Sequence, residues 1–398
     1  MSCTERLAIG LFCGCGGIDL GAELAGFHVA FAADSDPLAV ETYNANLKSR
    51  AHVRDLSQPF AHLLPKDADL LLGGPPCQGF SSAGSKDAAD PRNLLWRAYL
   101  EAVAQARPKV FVMENVTGFG SELPSFLEAV QAETADGYLI RERDVVTQFY
   151  GVPQFRHRKI VLGVRRDVVR GWPWPAPVEK EHHQYTRLSP GLISMETALA
   201  DLGPPDEYER NGTPDGRDHV SVPLVGNDLE IARHIPNGGS LKDIPDGRLP
   251  APYAGRERVG VRGWQWYYRK PRPHLPGRTV LASVRPIYAT ILFPDVWLEG
   301  SPGAWTWKPV PREEFTDRDG YYTSPVPPRR LTVRECARLQ TFPDTFRFAG
   351  TVLDKHRQIG NAVPVEFSRR LCEAIRKMLD GETMPASTSE DQQLLFRL

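Results

Sequence analysis

Short apolar runs alternate with helix-like segments from Leu7 to about Val164, and this alternation limits the folds open to the chain. Such a pattern is typical of a parallel β-sheet covered by helices on both faces. Asp36 and Pro37 mark the start of one helix, since aspartate caps a helix end and proline suits the first turn. The sequence therefore predicts an α/β fold with a mostly parallel sheet. The apolar runs cover residues 7–12, 28–33, 70–72, 110–113 and 160–164.

The character of the chain changes after about residue 172, where prolines and glycines become dense and long periodic helices disappear. This composition predicts an inserted, smaller domain that is β-rich and irregular. Regularity returns near Leu331, where Thr332 and Glu335 have the spacing of a helix capping box. We therefore expect the first part of the sheet domain at 1–175, the insertion at 176–328, a return to the sheet domain and a hinge at 329–382, and a loose tail at 383–398.

Composition excludes several classes of protein. The 398 residues are 41% hydrophobic and 24% charged, as in ordinary globular proteins, and no stretch approaches the ~20 apolar residues of a membrane span. The six cysteines are scattered, without the paired spacing of disulfide frameworks or structural zinc sites. The sequence thus predicts a cytoplasmic protein without membrane or metal partners.

The net charge of -1 hides a basic segment at 255–290, which has eight lysines and arginines and one glutamate.

A glycine-rich loop, FCGCGG at residues 12–17, follows the first predicted strand and opens a helix. Asp34 ends the second strand about twenty residues after Gly14, an arrangement that suits an adenosine-type cofactor. A dinucleotide fingerprint would require a third glycine where Asp19 stands, so S-adenosylmethionine fits better than a pyrophosphate cofactor. Asp55, after the next short run, is a candidate contact to adenine. A glycine-rich turn without any ligand is the alternative for this loop alone.

Cys77 stands in the motif GGPPCQGFS, directly after the fourth predicted strand. Two prolines hold an extended turn there, and a thiol exposed near cationic groups can act as a thiolate nucleophile. Glu114 ends the following strand, and the carboxyl ends of parallel strands share one rim, so we expect both side chains in one cleft. Taken singly, the cysteine would be a buried apolar residue and the glutamate a solvated carboxylate. Their joint position favours a nucleophile and a general acid.

Arg156 and Arg158 lie at alternate positions of the extended segment QFRHR, before the last predicted strand. Side chains two residues apart in a strand point to the same side. We therefore expect both guanidinium groups in the cleft, where they would clamp a phosphate or a carbonyl oxygen.

The order and content of these motifs resemble those of the DNA (cytosine-5) methyltransferases of the bacterial modification type. The resemblance covers residues 6 to about 168 and 329 to about 378, and leaves the middle of the chain outside it. The chain departs from the family pattern at Gly10, where an aspartate is frequent, and at Pro327-Pro328, where histidine-proline is frequent. The matching motifs are FCGCGG, GGPPCQGFS, ENV, GVPQFRHR, RRLTVRECARLQTFPD and QIGNAVP.

The resemblance implies a Rossmann-like S-adenosylmethionine methyltransferase domain and a mechanism without metal. In the family a cysteine thiolate, here Cys77, adds to carbon 6 of cytosine so that carbon 5 can take up a methyl group. Glu114 would protonate ring nitrogen 3. Arg158, with Arg156, would bind the carbonyl oxygen or keep the surroundings of the thiolate positive. The implied cofactor contacts are Phe12, Gly14, Gly17, Asp34, Asp55 and Asn361.

The resemblance also implies double-stranded DNA as the substrate, because a stacked cytosine must be flipped out before a thiolate can reach its ring. Residues 81–93 suit a loop that closes over the flipped base, and an ordinary surface loop is the alternative. The middle domain would read the DNA sequence, with its cations on phosphates. We also expect a monomer at the nucleoid of a bacterial cytoplasm, with a restriction endonuclease as a candidate companion. The predicted DNA contacts are Gln78, Ser81, Arg269, Lys270, Arg272, Arg278 and Thr279.

Three other functions remain open from the sequence. An RNA cytosine-5 methyltransferase acting on tRNA would share the scaffold, but the long middle domain at 176–328 favours a reader of duplex DNA. A catalytically silent DNA-binding relative would not need Cys77, Glu114 and Arg158 together. A nicotinamide oxidoreductase is disfavoured by the missing third glycine.

Overall fold

Strands and helices alternate along the first part of the chain. The structure is a computed structural model that describes residues 5–76, 95–121, 123–135, 137–179, 188–213, 215–244, 247, 249, 268–282, 292–301, 304–315 and 323–382. The strands are β1 (Arg6–Leu11), β2 (Phe27–Asp34), β3 (Ala51–Val53), β4 (Leu70–Gly73), β5 (Val110–Asn115), β6 (Tyr138–Val146), β7 (Gln154–Phe155), β8 (His157–Arg165), β9 (Gly277–Arg278), β10 (Val296–Glu299) and β11 (Thr306–Pro309). The α-helices are α1 (Gly17–Leu24), α2 (Pro37–Asn46), α3 (Leu95–Ala106), α4 (Leu123–Glu133), α5 (Met195–Leu199), α6 (Asn227–Arg233), α7 (Val333–Leu339), α8 (Val352–Asn361) and α9 (Val365–Leu379). Turns of 3-10 helix lie at Ala61–Leu63, Thr117–Ser121, Thr147–Tyr150, Leu241–Asp243 and Arg312–Glu314.

Seven of these strands form one sheet, in the order β3-β2-β1-β4-β5-β8-β6. The strands from β3 to β5 in this order run parallel, whereas β8 is antiparallel to both of its neighbours, β5 and β6. The predicted α/β class with a mostly parallel sheet is therefore confirmed. Because the parallel strands share a direction, the carboxyl ends of β1, β2, β4 and β5 lie along one edge, where ligands bind in such sheets.

Helix α3 covers one face of the sheet with a regular apolar surface. Trp96, Tyr99, Leu100 and Val103 recur at the spacing of one helix face and are all buried in the same core as the strands. Burial of each such side chain contributes roughly 1.5–3 kcal/mol. The hydroxyl of Tyr99 donates to the carbonyl of Val112 at 2.7 Å, so the polar end of the ring is also paired. This packing fixes β5, whose end carries a candidate catalytic residue.

Helices α1 and α9 pack together within the sheet-bearing part of the fold. The hydroxyl of Ser368 donates to the carbonyl of Ile18 at 2.6 Å, which joins the two helices. Glu366 lies in the first turn of α9, and Arg376 and Lys377 lie in its last turn. Charges placed in this way complement the helix dipole, so α9 is stabilised at both ends.

Two compact units divide the chain. The sheet unit comprises residues 1–150, 157–181 and 362–398, and the second unit comprises residues 151–156 and 182–361. The sequence places the return to the sheet domain at residue 329, whereas in the structure α7 and α8 belong to the second unit and the return lies at residue 362. The assignment of 176–328 to DNA reading stays a prediction.

A small apolar core holds the second unit together. Ile231 and Ile235 pack with Leu241, Tyr268 and Leu292. The strands of this unit are short: β10 and β11 pair antiparallel, and β7 pairs with β9. Proline cannot donate to a strand ladder, so a proline-rich segment favours short strands joined by irregular backbone.

Candidate active site

The glycine-rich loop joins β1 to α1 at the edge where the parallel strands end. Phe12 and Gly14 both have a φ of 53°, and Gly16, the N-cap of α1, has a φ of 96°. This left-handed backbone favours glycine, and a Cβ on Gly16 would also lie 2.8 Å from Leu47. Gly14 has open space where a side chain would stand, and Gly17 begins the helix. The loop therefore leaves open space beside the Gly14 backbone, where a ligand can approach.

Asp34, at the end of β2, holds this loop in place. One carboxylate oxygen accepts a hydrogen bond from the amide of Gly14 at 2.8 Å, and the other accepts from the amide of Asp36 at 2.9 Å. Burial raises the pKa of Asp34, and these amides oppose the shift because they stabilise the charged form. Each carboxylate oxygen has two lone pairs, so Asp34 retains acceptor capacity for a ligand hydroxyl.

Two further candidate cofactor contacts are distant from the loop in the sequence. Asp55 is exposed after β3, and its carboxylate accepts a hydrogen bond from the amide of Ser57 at 2.9 Å, which lowers the pKa of Asp55. Asn361 is the exposed last residue of α8, in the second unit. The cofactor roles of both residues stay predictions.

Glu114 and Arg158 form a largely buried ion pair at the end of β5. The Arg158 Nε lies 2.6 Å from the Glu114 Oε1, and the two side chains are 14% and 11% exposed. The antiparallel pairing of β5 with β8 sets Glu114 opposite Ile160, which brings Arg158 to the strand end. Burial lowers the pKa of Arg158, and the carboxylate of Glu114 opposes that shift. The arrangement gives the carboxyl group a fixed orientation and a cationic partner.

The segment before the candidate nucleophile is attached to the same strand end. The side-chain amide of Asn115 donates to the carbonyl of Pro75 at 3.2 Å. A Cβ on Gly74 would lie 3.2 Å from the Glu114 Oε2, so the glycine allows backbone and carboxyl group to approach closely. The candidates Cys77, Gln78 and Ser81 and the expected lid at 81–93 lie outside the described residues.

Arg156 binds backbone rather than presenting its guanidinium group to a ligand. The residue is 1% exposed and donates to the carbonyls of Val280 and Gly360, each at 2.9 Å. It lies between β7 and β8 rather than within one continuous strand, so the rule of alternation does not apply to it. The predicted clamp on a ligand oxygen is therefore contradicted for Arg156, because its guanidinium group is buried and donates to two backbone carbonyls.

Comparison with known proteins decides the family. A sequence model described as C-5 cytosine-specific DNA methylase matches residues 8–377. The chain belongs to this family. Among curated relatives, the Type II methyltransferase M.MthTI of Methanothermobacter thermautotrophicus is 30% identical, over 93% of this chain and 97% of its own length. The Type II methyltransferase M.PspPI of Psychrobacter sp. (strain TA137) is 32% identical, over 93% of this chain and 79% of its own length. The solved structure of S. pombe Dnmt2 methyltransferase has a TM-score of 0.59 at 18% identity, over 95% of this chain and 100% of that chain, a likeness of fold alone.

The family confirms the enzyme class that the motifs predict. This methylase is a DNA (cytosine-5) methyltransferase, and its reaction is methylation of carbon 5 of cytosine in DNA. Such a reaction requires a methyl donor. The nicotinamide oxidoreductase alternative is thereby excluded.

The candidate DNA contacts of this methylase differ in solvent exposure and in hydrogen bonding. Arg272 is exposed, and Arg269 and Arg278 are half-buried. Thr279 directly follows β9, and its hydroxyl donates to the carbonyl of Phe155 at 2.8 Å. The contacts of these four residues with DNA stay predictions.

Lys270 differs from the neighbouring cations because it is buried. Its ammonium group lies 2.8 Å from the Asp295 carboxylate, and neither side chain is more than 1% exposed. The ammonium also donates to the carbonyl of Ala232 at 3.2 Å. Burial lowers the pKa of Lys270, and Asp295 opposes that shift. The predicted phosphate contact is therefore wrong for Lys270, because a carboxylate inside the second unit neutralises its charge.

Replacing Lys270 with methionine should lower the free energy of unfolding by about 3–5 kcal/mol, because Asp295 would remain buried without its partner. Urea unfolding monitored by tryptophan fluorescence measures this loss. The double variant Lys270→Met with Asp295→Leu should recover most of it, since both charges are then removed. The opposite result would be an unchanged unfolding midpoint in the single variant together with a flatter salt dependence of DNA affinity. It would show that Lys270 contacts DNA phosphate.

The burial of Asp19 was not predicted from the sequence, where Asp19 was noted only because it stands at the position of the third glycine of a dinucleotide fingerprint. The carboxyl group lies in the first turn of α1, is fully buried, and has no hydrogen-bond partner on either oxygen among the described residues. A Cβ on Gly10 would lie 2.2 Å from the Asp19 Oδ2. Asp19 therefore fills the space of a side chain at position 10. The departure from the family pattern at Gly10 is the signal that the sequence offered.

Burial raises the pKa of Asp19 from 3.8 to about 7. The folded protein therefore holds this proton more tightly than the unfolded chain. Relative to an Asp19→Asn variant, the protein should lose roughly 4 kcal/mol of stability as the pH rises from about 4 to about 7. Urea unfolding of both proteins across that range measures the difference. A difference independent of pH would contradict the raised pKa.

The Asp34 carboxylate and the open space beside Gly14 are the features that can receive a cofactor, since the Gly14 and Gly16 amides already donate to Asp34 and to the Cys13 carbonyl. Within the described ranges, no cluster of three or more histidine, cysteine, aspartate or glutamate side chains has the arrangement of a metal site. Nor does any helix in those ranges combine the length and the apolar character required to cross a lipid bilayer.

Proposed function

We propose that this methylase transfers a methyl group from S-adenosylmethionine to carbon 5 of a cytosine flipped out of a specific double-stranded DNA sequence, through a transient bond to Cys77. The observation that carries the proposal is the Glu114–Arg158 ion pair at the end of β5. Activation of cytosine needs an acid for the ring and a positive field for a thiolate. Glu114 supplies the carboxyl group and Arg158 the positive charge, beside the segment that leads to the cysteine.

Carbon 5 of cytosine is a weak nucleophile, and the Cys77 thiolate activates it by adding to carbon 6. The electron pair moves towards ring nitrogen 3, where Glu114 delivers a proton. When bound, S-adenosylmethionine supplies the methyl group that carbon 5 takes up. A base in solution then removes the proton of carbon 5, the double bond re-forms, and the Cys77 thiolate leaves. Glu114 recovers its proton from nitrogen 3, and 5-methylcytosine remains.

Arg158 acts on the same ring through its charge. Arginine stays protonated near neutral pH even where burial lowers its pKa, so it can stabilise negative charge as electrons move onto the base. By resemblance, Arg158 also binds the carbonyl oxygen of cytosine. Its contact with Glu114 at 2.6 Å fixes the carboxyl group that must reach nitrogen 3.

The glycine-rich loop fits an adenosine cofactor without a pyrophosphate. Asp34 retains lone pairs for ribose hydroxyls, and Asp19 stands where a pyrophosphate site would need a third glycine. The open space at Gly14 lets a ligand approach the backbone. The proposed cofactor contacts are Phe12, Gly14, Gly17 and Asp34 in the sheet unit, Asp55 at adenine and Asn361 at the methionine end.

Duplex DNA is the proposed substrate, with the target cytosine flipped out of the helix. The curated relatives are named Type II methyltransferases, which supports a modification methylase with a companion restriction endonuclease. We propose a monomer that acts at the nucleoid of a bacterial cytoplasm. The proposed DNA contacts are Gln78, Ser81, Arg269, Arg272, Arg278 and Thr279.

Mapping methylated cytosines in a host that expresses the protein tests substrate and target together. We expect 5-methylcytosine at one recurrent DNA sequence, and none at that sequence in a host carrying the empty vector. Methylated cytosines in tRNA without methylated DNA would overturn the DNA substrate. Scattered DNA methylation without a recurrent sequence would overturn specific reading.

A further inference from the structure

Arg156 joins two segments of the second unit that are distant in the sequence. Its Nη1 donates to the carbonyl of Val280 and its Nη2 donates to the carbonyl of Gly360. Val280 directly follows Thr279, and Gly360 directly precedes Asn361. One guanidinium group therefore bridges the backbone of a proposed DNA contact and the backbone of a proposed cofactor contact.

Two buried glutamines strengthen the same bridge. Gln154 accepts a hydrogen bond from the amide of Val280 at 2.8 Å and donates to the Gln340 side chain at 3.0 Å. Gln340 in turn donates to the carbonyl of Ile359 at 2.7 Å. Both glutamines are fully buried. A buried polar network favours one arrangement, because displacement of either segment would leave polar groups unpaired.

Packing also ties the end of α8 to the segment after β9. A Cβ on Gly360 would lie 2.2 Å from the carbonyl carbon of Leu281 and 2.3 Å from the amide nitrogen of Ala282. Thr279 is held from the other side by its hydrogen bond to the carbonyl of Phe155. Because close-packed interiors transmit displacement, a shift of the end of α8 would displace residues 279–282 as well.

We propose that Arg156 is a positioning residue that couples the Asn361 end of α8 to the segment at Thr279, so that cofactor and DNA each strengthen the binding of the other. The inference rests on the proposed functions of Asn361 and Thr279. Such coupling is reciprocal: the factor by which a cofactor ligand improves DNA affinity equals the factor by which DNA improves the affinity for that ligand.

The variant Arg156→Lys weakens the link between the two segments while keeping the positive charge. A lysine has a single terminal nitrogen and lacks the planar fork of arginine, so it cannot hold both carbonyls in this geometry. Fluorescence anisotropy gives the dissociation constant for a labelled duplex that contains the target sequence, with and without S-adenosylhomocysteine. In the unaltered protein the ligand should tighten DNA binding at least about fivefold, and in Arg156→Lys this ratio should approach one.

Arg334→Lys is the matched control. Arg334 is another buried arginine of the second unit, and its guanidinium group donates to the carbonyls of Gly216, Arg217 and Phe346. Its replacement should lower stability and preserve the ratio. Loss of the ratio in both variants would assign the effect to general destabilisation and overturn the role of Arg156.

An unchanged ratio in Arg156→Lys, or no tightening in the unaltered protein, overturns the coupling. Failure of the unaltered protein to bind either S-adenosylhomocysteine or duplex DNA would instead contradict the proposed function.

Hydrogen exchange on the unaltered protein keeps the inference testable if the lysine variant does not fold. Addition of S-adenosylhomocysteine without DNA should slow exchange of the Val280 amide at least about fivefold. An unchanged exchange rate at that amide would also overturn the inference.

Discussion

Replacing Cys77 with alanine is expected to abolish methyl transfer to duplex DNA while sequence-specific DNA binding persists. Without a thiolate to add to carbon 6, carbon 5 stays a weak nucleophile and no other step of the proposed reaction can proceed. Transfer of a labelled methyl group measures the reaction, and a gel mobility shift with the target duplex measures binding. A normal transfer rate in the alanine variant would remove Cys77 from the mechanism.

The described cysteines supply a control for this variant. Cys13, Cys15, Cys336 and Cys372 are buried free thiols. Burial raises the pKa of each, to about 12 for Cys15 and Cys372, so these sulfurs stay protonated and unreactive near neutral pH. Cys336→Ala, on a helix of the second unit, should therefore retain methyl transfer. Loss of transfer in both variants would point to damage to the fold rather than to the nucleophile.

A duplex with 5-fluorocytosine at the target position separates covalent catalysis from a binding role for Cys77. Fluorine cannot leave carbon 5 in the way that a proton does, so the bond between sulfur and carbon 6 persists after methyl transfer. In the presence of S-adenosylmethionine the unaltered protein should form a denaturant-resistant complex, and the Cys77→Ala variant should form none. Absence of that complex with the unaltered protein at its recognised site would contradict the thiolate mechanism.

The sheet and the local helix signals could be predicted from the sequence because each depends on neighbouring residues. The Asp36 side chain accepts from the amide of Leu38 at 3.0 Å, as its place before a proline indicates. Thr332 accepts from the amide of Glu335 at 3.0 Å, and the Glu335 carboxylate accepts from the amide of Thr332 at 2.8 Å. The position of Glu114 follows from the same kind of pattern, since its apolar run becomes β5 and parallel strands end at one edge.

Arg156 and Lys270 show what a local pattern could not predict. The rule that alternate residues share a side assumes an uninterrupted strand, but Arg156 separates β7 from β8 and binds carbonyls far along the chain. Lys270 belongs to a basic segment, which indicates an exposed surface on average. Its partner Asp295 is 25 residues further on, and only the folded chain brings the two charges together. Charge composition describes a segment, and tertiary packing decides which of its cations is buried.

The variant Glu114→Gln is expected to slow methyl transfer by more than about a hundredfold. An amide keeps the size of the side chain and can accept a hydrogen bond, but it cannot give a proton to ring nitrogen 3. Single-turnover rates with saturating DNA and cofactor isolate the chemical step from binding. Glu142→Gln is the matched control, because Glu142 pairs with Lys159 at 2.8 Å in the same sheet but has a side chain that is 43% exposed. Lys159 keeps its second carboxylate partner, Asp144 at 3.0 Å, so this replacement should leave the rate unchanged.

Combining Glu114→Gln with Arg158→Lys determines whether the effects of the two side chains on the rate are coupled. If Arg158 serves the reaction partly by orienting the carboxyl group 2.6 Å away, its replacement costs less once that group is an amide. The rate loss in the double variant should then be smaller than the product of the two single losses. A loss equal to the product would mean that the two side chains act on cytosine independently, whereas a parental rate in Glu114→Gln would remove the acid from the mechanism. The proposed reaction requires a loss smaller than the product, because protonation of the ring depends on a carboxyl group held in one orientation.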